Sequence, residues 1–300
     1  MATAAQVDLN APEVRRTGLG ASDAAAACGM DRYKSAYRLY LEKTRQVEPD
    51  YENDAMRLGK KLQPIILDEF AHRTGKKIEE TEVRFNHPDL PWLWATIDGV
   101  VNEDEAVEAK SSRFWNREEW GEERTDQVPQ EILFQCAQQL FCGGFKVVHV
   151  PAFLGGALRL YTVERQNAAG LFERMVEWET GFWNRVLCRK PPDPDWAHKD
   201  TLAVMKALYG VNDRAPMVKL GDDIGQHVSA YQALGAQIRD LEADRERAKC
   251  VILHAMGEAS LGVLPSGTLL TRKAIHHKAY EVKACEYTDL RIKQPKERKQ

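Results

Sequence analysis

Two short apolar runs joined by an acidic turn decide how this chain reads. They are Trp94-Ala-Thr-Ile-Asp-Gly-Val-Val101 and Ala106-Val-Glu-Ala-Lys-Ser111, separated by Asn102-Glu-Asp-Glu105. Each run has the length and side chains of a strand, and the polar tetrapeptide is a turn, so the pair predicts an antiparallel hairpin. In that hairpin Asp98 and Glu108 fall opposite or nearly opposite each other. Side chains alternate along a strand, so Glu108 and Lys110 share one face and Ala109 points away. Two carboxylates and an ammonium then converge. An unpaired carboxylate embedded in an apolar strand is costly, so Asp98 calls for a partner or a task.

Outward from the hairpin, Glu82-Val-Arg-Phe85 alternates like a further strand. Lys146-Val-Val-His-Val-Pro-Ala-Phe153 and Leu158-Arg-Leu-Tyr-Thr-Val163 predict a second strand pair across Gly155-Gly156. Helices surround these strands. Ser22 is expected to cap a short Ala-rich helix stopped at Gly29, and Ser35 a second from Ala36 to about Arg45. A third is expected from about Asn53 to His72, with Leu58, Leu62, Ile66 and Phe70 at i, i+4 spacing and Gly75 at its end. Another follows Pro129, from about Gln130 to Phe141, and a long one spans 167–188. This order predicts an α/β (α+β) core, a mixed central sheet flanked by helices.

The segment Lys190-Pro-Pro-Asp-Pro-Asp-Trp196 cannot continue a helix and marks a boundary, giving a domain over 1–196 and an extension over 197–300. Charge changes there as well. Residues 1–196 carry 25 Lys and Arg against 32 Asp and Glu, and residues 197–300 carry 17 against 13. In the extension, Ile224, Tyr231, Leu234, Ile238, Leu241, Ala248, Ile252 and Ala255 recur at alternating 3/4 spacing, interrupted by His227 and Arg245. This reads as a long heptad-like helix ended by Gly262, which either folds back or joins other copies. A hairpin from Thr268–Ile275 and Ala279–Lys283 follows it.

Composition removes several classes. Of 300 residues 43% are hydrophobic, and 42 basic against 45 acidic side chains leave a formal net charge of −3. That balance excludes a histone-like coat protein but leaves room for a local basic groove. No apolar run approaches the ~18 residues of a membrane span. The first residues lack a basic start followed by an apolar core, and the six cysteines contain no CxxC pair. The expectation is a cytoplasmic protein with reduced thiols, no membrane partner and neither a zinc ribbon nor an ordinary iron–sulfur cluster.

The converging triad suits metal-assisted phosphodiester hydrolysis. Mg2+ prefers oxygen ligands and keeps several waters, and Asp98, Glu108 and the backbone carbonyl of Ala109 would hold it. Such a metal polarises the phosphate and lowers the pKa of a bound water. Lys110 would orient or help deprotonate that water and stabilise charge building on phosphorus. Taken alone, D-x9-E-x-K recurs by chance, and a surface hairpin with a salt bridge is the simpler reading.

The surrounding motifs change that balance. Arg15-Arg-Thr-Gly-Leu-Gly-Ala-Ser22-Asp-Ala-Ala-Ala, Leu58-Gly59-x3-Gln63-Pro64, Ala95-Thr96-Ile97-Asp98-Gly99, Glu108-Ala-Lys110 and Val128-Pro129-x5-Gln135 occur in this order. Together, over roughly residues 12–190, they resemble the YqaJ-type viral recombinase domain, in the lambda-exonuclease branch of the PD-(D/E)XK nucleases. The resemblance implies a restriction-endonuclease-like core and a metal-dependent exonuclease degrading linear double-stranded DNA 5′ to 3′. It implies Mg2+, with Mn2+ able to substitute, and a single-strand annealing protein as partner in phage recombination. It also implies a ring-shaped homo-oligomer, trimeric in some readings, in a bacterial or phage-infected cell. By the same resemblance Asp98 and Glu108 match the metal ligands and Lys110 the catalytic lysine, and Gln135 matches the glutamine that helps place the lysine and the water. Arg15 and Ser22 match the pair at the phosphate of the DNA end, with Thr96 near that phosphate. Gln63 stands where the family usually has a glutamate near the metal, which implies a weakened ligand or a residue bonding metal-bound water.

Other residues invite two readings each. Trp115 and Trp120 lie in a polar stretch and are the candidates for a wedge that parts the terminal base pair, whereas Trp92 and Trp94 read as core. Arg113, Arg117, Lys34, Lys60 and Lys61 are candidate phosphate contacts as a set and ordinary solvated cations one by one. His149 reads as a satisfied core histidine, and His276-His277 as a metal-binding pair lacking a visible further ligand. Two rival readings stand beside the exonuclease. One is a catalytically weakened module of the same fold that binds DNA ends or recruits a partner. The other is a helicase- or CRISPR-associated relative with an iron–sulfur cluster, which the cysteine spacing opposes.

Overall fold

The computed structural model describes residues 11–49, 53–112, 117–210, 217–276 and 292. Arg113 and Trp115 lie outside the described residues, as do the side chain of Arg117, His277 and the strand expected over 279–283. The chain forms two compact units, Met1–Tyr209 and Gly210–Gln300. In chain order the first holds α1 (Pro12–Arg15), β1 (Leu19–Gly20), a 3-10 turn over Ala21–Asp23, α2 (Ala24–Ala27), α3 (Ala36–Lys43) and α4 (Asp54–Thr74). Then come β2 (Glu80–Asn86), β3 (Leu93–Val100), β4 (Glu105–Val107), β5 (Lys110–Ser112), α5 (Arg117–Trp120) and α6 (Gln130–Gly143). The unit closes with β6 (Val147–Leu154), β7 (Ala157–Glu164), α7 (Arg165–Leu187) and α8 (Thr201–Leu208).

Local chemistry sets most of these ends. Ser35 caps α3 by accepting from the Arg38 N–H, and Asn53 caps α4 by accepting from the Met56 N–H. Gly75 closes α4 in the left-handed region (φ 71°) and Gly144 closes α6 there (φ 75°). Ser22 caps nothing; it sits inside the 3-10 turn, whose N-cap position is Gly20. The apolar stripe expected on α4 is split. Ile66 and Phe70 are buried but Leu58 is 52% exposed, because only the C-terminal half of α4 lies on the sheet.

The mixed sheet has two hubs. β3 pairs antiparallel with β2 along one edge, from Glu80↔Val100 to Asn86↔Trp94. Its other edge is shared: β1 runs parallel at Leu19↔Leu93 and Gly20↔Trp94, and β4 antiparallel at Gly99↔Val107 and Val100↔Ala106. β6 pairs antiparallel with β7 along its whole length and parallel with both β4 and β5 on its other side. The register along β6 does not change between them, since Val107 pairs with His149 and Lys110 with Ala152. The strand read from sequence as Ala106–Ser111 is therefore continuous against β6 but leaves β3 after Val107. The sheet forks there, and β1, from far upstream, takes the other end of the same β3 edge at Leu93 and Trp94.

Helices cover both faces. Leu140 of α6, Met175 of α7, and Ala24 and Leu39 of α2 and α3 pack with Ala95, Ile97 and Val148 of the sheet in one core cluster. Leu67 and Phe70 of α4 form a second cluster with Val101 and Val107. The first unit does not stop at the proline-rich segment. Val204 of α8 is buried, and the Asp200 carboxylate accepts the Ser35 N–H at 2.7 Å, so the unit runs on to Tyr209.

The second unit holds α9 (Asp222–Met256), none of whose residues is buried, and an antiparallel hairpin of β8 (Leu261–Val263) and β9 (Leu269–Thr271). The long helix forms as the heptad-like spacing predicts. It ends at Gly257, with positive φ, rather than at Gly262, which lies in β8. β9 accordingly pairs upstream with β8 across the tight turn Leu264–Gly267. Among the described residues no helix is long and apolar enough to cross a membrane.

Candidate active site

The fork in the sheet is where the conspicuous side chains meet. The β3–β4 ladder stops at Gly99↔Val107, and at the next position the Asp98 carboxylate accepts the Ala109 N–H at 2.8 Å in place of a backbone carbonyl. The other Asp98 oxygen accepts from the Gln63 amide of α4 at 3.1 Å. Glu108, 3% exposed, is bonded on both oxygens. One accepts from Lys110 Nζ and Gln135 Nε2, both at 2.6 Å, and the other from Gln139 Nε2 at 2.5 Å. Lys110 Nζ also donates to Gln135 Oε1 at 2.9 Å, so lysine, glutamate and glutamine close a ring of charge-assisted bonds.

Burial and charge act together here. Burial first, and Glu108 second, push the Asp98 carboxyl well above the usual carboxylate range, against Lys110 and the Ala109 N–H. Burial works against the Lys110 ammonium, but Glu108 and Asp98 outweigh it and hold its pKa above the ordinary lysine value. Cys136 lies beneath the cluster, and burial, then Glu108, push its thiol far up, which makes it an inert wall.

The donor set fits a hard divalent cation. Two carboxylates, Glu108 buried and Asp98 half-buried, against one ammonium leave a negative excess, and each Asp98 oxygen has accepted a single bond and keeps a lone pair. Among the described residues no group of three His, Cys, Asp or Glu side chains converges on one point. A cation held by Asp98, Glu108 and the Ala109 carbonyl would thus keep several waters, which is the habit of Mg2+. Gln63 donates to Asp98; it adds no third carboxylate.

Two depressions flank Lys110 and Ser111. One, of about 410 Å3, is lined by Met56, Gly59, Lys60, Gln63, Asp98 and Glu108. The other, of about 430 Å3, is lined by Ser22, Arg32, Tyr33, Lys110, Trp120 and Gln135. Behind Ser22, the Arg15 guanidinium of α1 donates to Ser22 Oγ at 3.3 Å and to Asp23 Oδ1 at 2.9 Å. Asp23 is buried, and Lys43 Nζ donates both to its other oxygen at 2.7 Å and to the Arg15 carbonyl at 2.6 Å. Burial raises the Asp23 pKa, but Lys43 and Arg15 together drive it well below the usual carboxylate range.

The structure brings together Asp98, Glu108, Ala109, Lys110, Gln135 and Gln63 in one cluster, and Arg15 with Ser22 in another. Thr96 shares the face of Asp98 on β3, and its carbonyl accepts from Gln139 at 3.1 Å. Trp120 does not project as a wedge: it is 5% exposed and tilts against Tyr161 at 5.2 Å, because α5 folds its apolar side onto the sheet. Trp92 stacks on Trp183 and Trp94 is buried, as core residues should be. Lys34 is engaged with Glu42 at 2.7 Å, whereas Lys60 lines the cleft. His149 is satisfied by Glu105 at 2.8 Å. Sequence reading misses Gln139, Asp23 and Lys43. The one available signal for Gln139 is its spacing, one turn after Gln135 on the same helix face.

Comparison with known proteins agrees with this architecture. Residues 12–146 match the model of the YqaJ-like viral recombinase domain. The chain is 26% identical over 256 residues to the uncharacterized protein YqaJ of Bacillus subtilis (strain 168), covering 83% of this chain and 78% of that protein. Among solved structures it resembles an alkaline exonuclease (LHK-Exo) from Laribacter hongkongensis. That match has a TM-score of 0.50 and 19% identity, and covers 59% of this chain and 92% of the other. Asp98, Glu108 and Lys110, at the fork of the sheet, thus lie within the segment, residues 12–146, that is similar to the YqaJ-like viral recombinase domain.

Proposed function

We propose that this protein is a Mg2+-dependent exonuclease that degrades linear double-stranded DNA from its 5′ ends, in phage-type recombination beside a single-strand annealing protein. The observation that carries the reading is the closed cluster of Asp98, Glu108, Lys110 and Gln135 at the fork of the sheet. The match to the recombinase-domain model and the exonuclease fold of the solved relative support it. Asp98, Glu108 and the Ala109 carbonyl would hold the cation, which supplies Lewis acidity at the phosphate and a more acidic water.

The chain's own groups divide the remaining work. Lys110 has a raised pKa, so at neutral pH it is an ammonium. It would donate to the charge developing on the scissile phosphate and orient or help deprotonate the attacking water. Gln135 takes one Lys110 hydrogen and returns one of its own to Glu108, fixing both. Gln139 fixes the far oxygen of Glu108. Arg15 and Ser22 would receive the phosphate at the DNA end, with Asp23 and Lys43 holding Arg15 in place.

A second reading rests on Gln63. It donates to Asp98 where a glutamate would add negative charge for a second cation, which suits a slower enzyme or a module that holds DNA ends. One digest separates the readings. Linear duplexes with and without a 5′ phosphate, labelled at one end or the other, are incubated in Mg2+ or EDTA. The exonuclease reading expects release in Mg2+ alone, faster with the phosphate and beginning at the 5′ label. Binding without release supports the end-holding module, and efficient cutting of closed circles contradicts an exonuclease.

A further inference from the structure

Between the Arg15–Ser22 pair and Lys110 lies a space that the proposed reaction leaves unassigned. Release of a nucleotide from a 5′ end places its 5′ phosphate at Arg15 and Ser22 and the scissile phosphate at Lys110. The base of that terminal nucleotide must then sit in the depression bordered by Ser22 and Lys110. Tyr33 lines the same depression and is 59% exposed.

The loop that carries the ring is held in position. Asp31 accepts from the backbone N–H of both Tyr33 and Lys34. Arg32 forks onto Glu119 at 2.7 and 2.9 Å and reaches Glu131 at 2.9 Å. From beyond the proline-rich segment, His198 contacts the Asp31 carbonyl at 2.9 Å and Asp200 accepts the Ser35 N–H at 2.7 Å. The loop is thus pinned on both sides of Tyr33. Two cations lie over the ring, Lys199 Nζ at 3.8 Å and Arg32 at 5.0 Å from its centroid. An aromatic ring on a loop pinned this firmly, 59% exposed and with cations over it, is suited to a base that takes the place of one cation on the ring and leaves that charge to a phosphate. Trp120, the tryptophan of the same depression, is buried against Tyr161 and cannot serve.

We propose that Tyr33 is the stacking platform for the base of the 5′-terminal nucleotide. The proposal rests on reading the cleft as the site of a DNA end, and it is tested by binding so that it stands apart from catalysis. Affinities of the full chain and its Tyr33→Leu and Tyr33→Phe variants are measured in EDTA. The ligands are a 5′-phosphorylated duplex and the same duplex with an abasic 5′-terminal nucleotide. Stacking is worth about tenfold in affinity. The expected result is a loss of about that size for Tyr33→Leu or for the abasic end, no further loss when the two are combined, and wild-type behaviour for Tyr33→Phe. Equal affinity of wild-type protein for the two duplexes, or losses that multiply, would overturn it. Digestion of the intact duplex by wild-type protein in Mg2+ reports separately on the nuclease reading.

Discussion

Asp23 shows how much of a site can rest on a residue that never faces the cleft. Its side chain is 3% exposed and that of Lys43 is 4% exposed, and between them they fix the Arg15 guanidinium beside Ser22. Removing the carboxylate leaves a buried ammonium without its counter-charge, a loss on the order of 3–5 kcal/mol for a buried pair. Asp23→Ala is therefore expected to lower the denaturant midpoint by a corresponding amount and to weaken binding of 5′-phosphorylated ends. Equilibrium unfolding and a binding titration check both. Neither Asp23 nor Lys43 announces this in the sequence. A lysine in the last turn of a helix reads as a solvated cation, and an aspartate after a serine as part of a cap; only the fold makes them neighbours. Asp98 differs, because a carboxylate amid Ala, Ile, Gly and Val is conspicuous in the sequence alone.

At the scale of elements, the hairpin of β3 and β4, the cap at Ser35, the start of α4 near Asn53 and the Gly155-Gly156 turn are local and legible in the sequence. The fork is not, because it depends on partners far away in sequence: β6 takes β5, and β1 enters the edge of β3, held there by Gln138, which donates to the Leu19 and Trp94 carbonyls. The segment after the prolines reads as a separate extension for a similar reason: His198 and Asp200 act on a loop more than 160 residues earlier. His198 Nε2 faces the Asp31 carbonyl at 2.9 Å, and Nδ1 faces both the Asp200 carboxylate at 2.7 Å and the Asp200 N–H at 3.2 Å; the imidazolium gains the carboxylate as a charged partner. Burial disfavours that charge, but the Asp31 carbonyl and Asp200 outweigh it and raise the pKa. A raised folded-state pKa means that the clamp contributes fully below the ordinary histidine value and is lost as pH rises through the raised one. Thermal midpoints measured from pH 6 to pH 9 should fall more for wild type than for His198→Gln; parallel curves would show that the clamp does not titrate.

At the scale of the molecule, every residue of both clusters lies within the first unit, while the second offers a 35-residue helix with no buried residue. Its heptad-like stripe, with Tyr231, Leu234, Ile238 and Leu241 exposed, suits association between copies, in keeping with the ring that the family resemblance implies. Light scattering on the full chain is expected to give a whole multiple of 34.0 kDa greater than one. A mass of one chain would remove the ring. The net charge of −3 says little about DNA binding, because the cleft combines Arg32, Lys60 and Lys110 with carboxylates suited to a cation.

The central claim is that the Asp98–Glu108–Lys110–Gln135 cluster hydrolyses phosphodiester bonds. Nucleotide release from a linear duplex in Mg2+ by the wild-type chain, Asp98→Ala and Lys110→Ala, with circular dichroism confirming that each is folded, tests it most directly. The account predicts release by wild type and loss of at least about a hundredfold in either variant. Undiminished release by a folded Asp98→Ala or Lys110→Ala protein would contradict it.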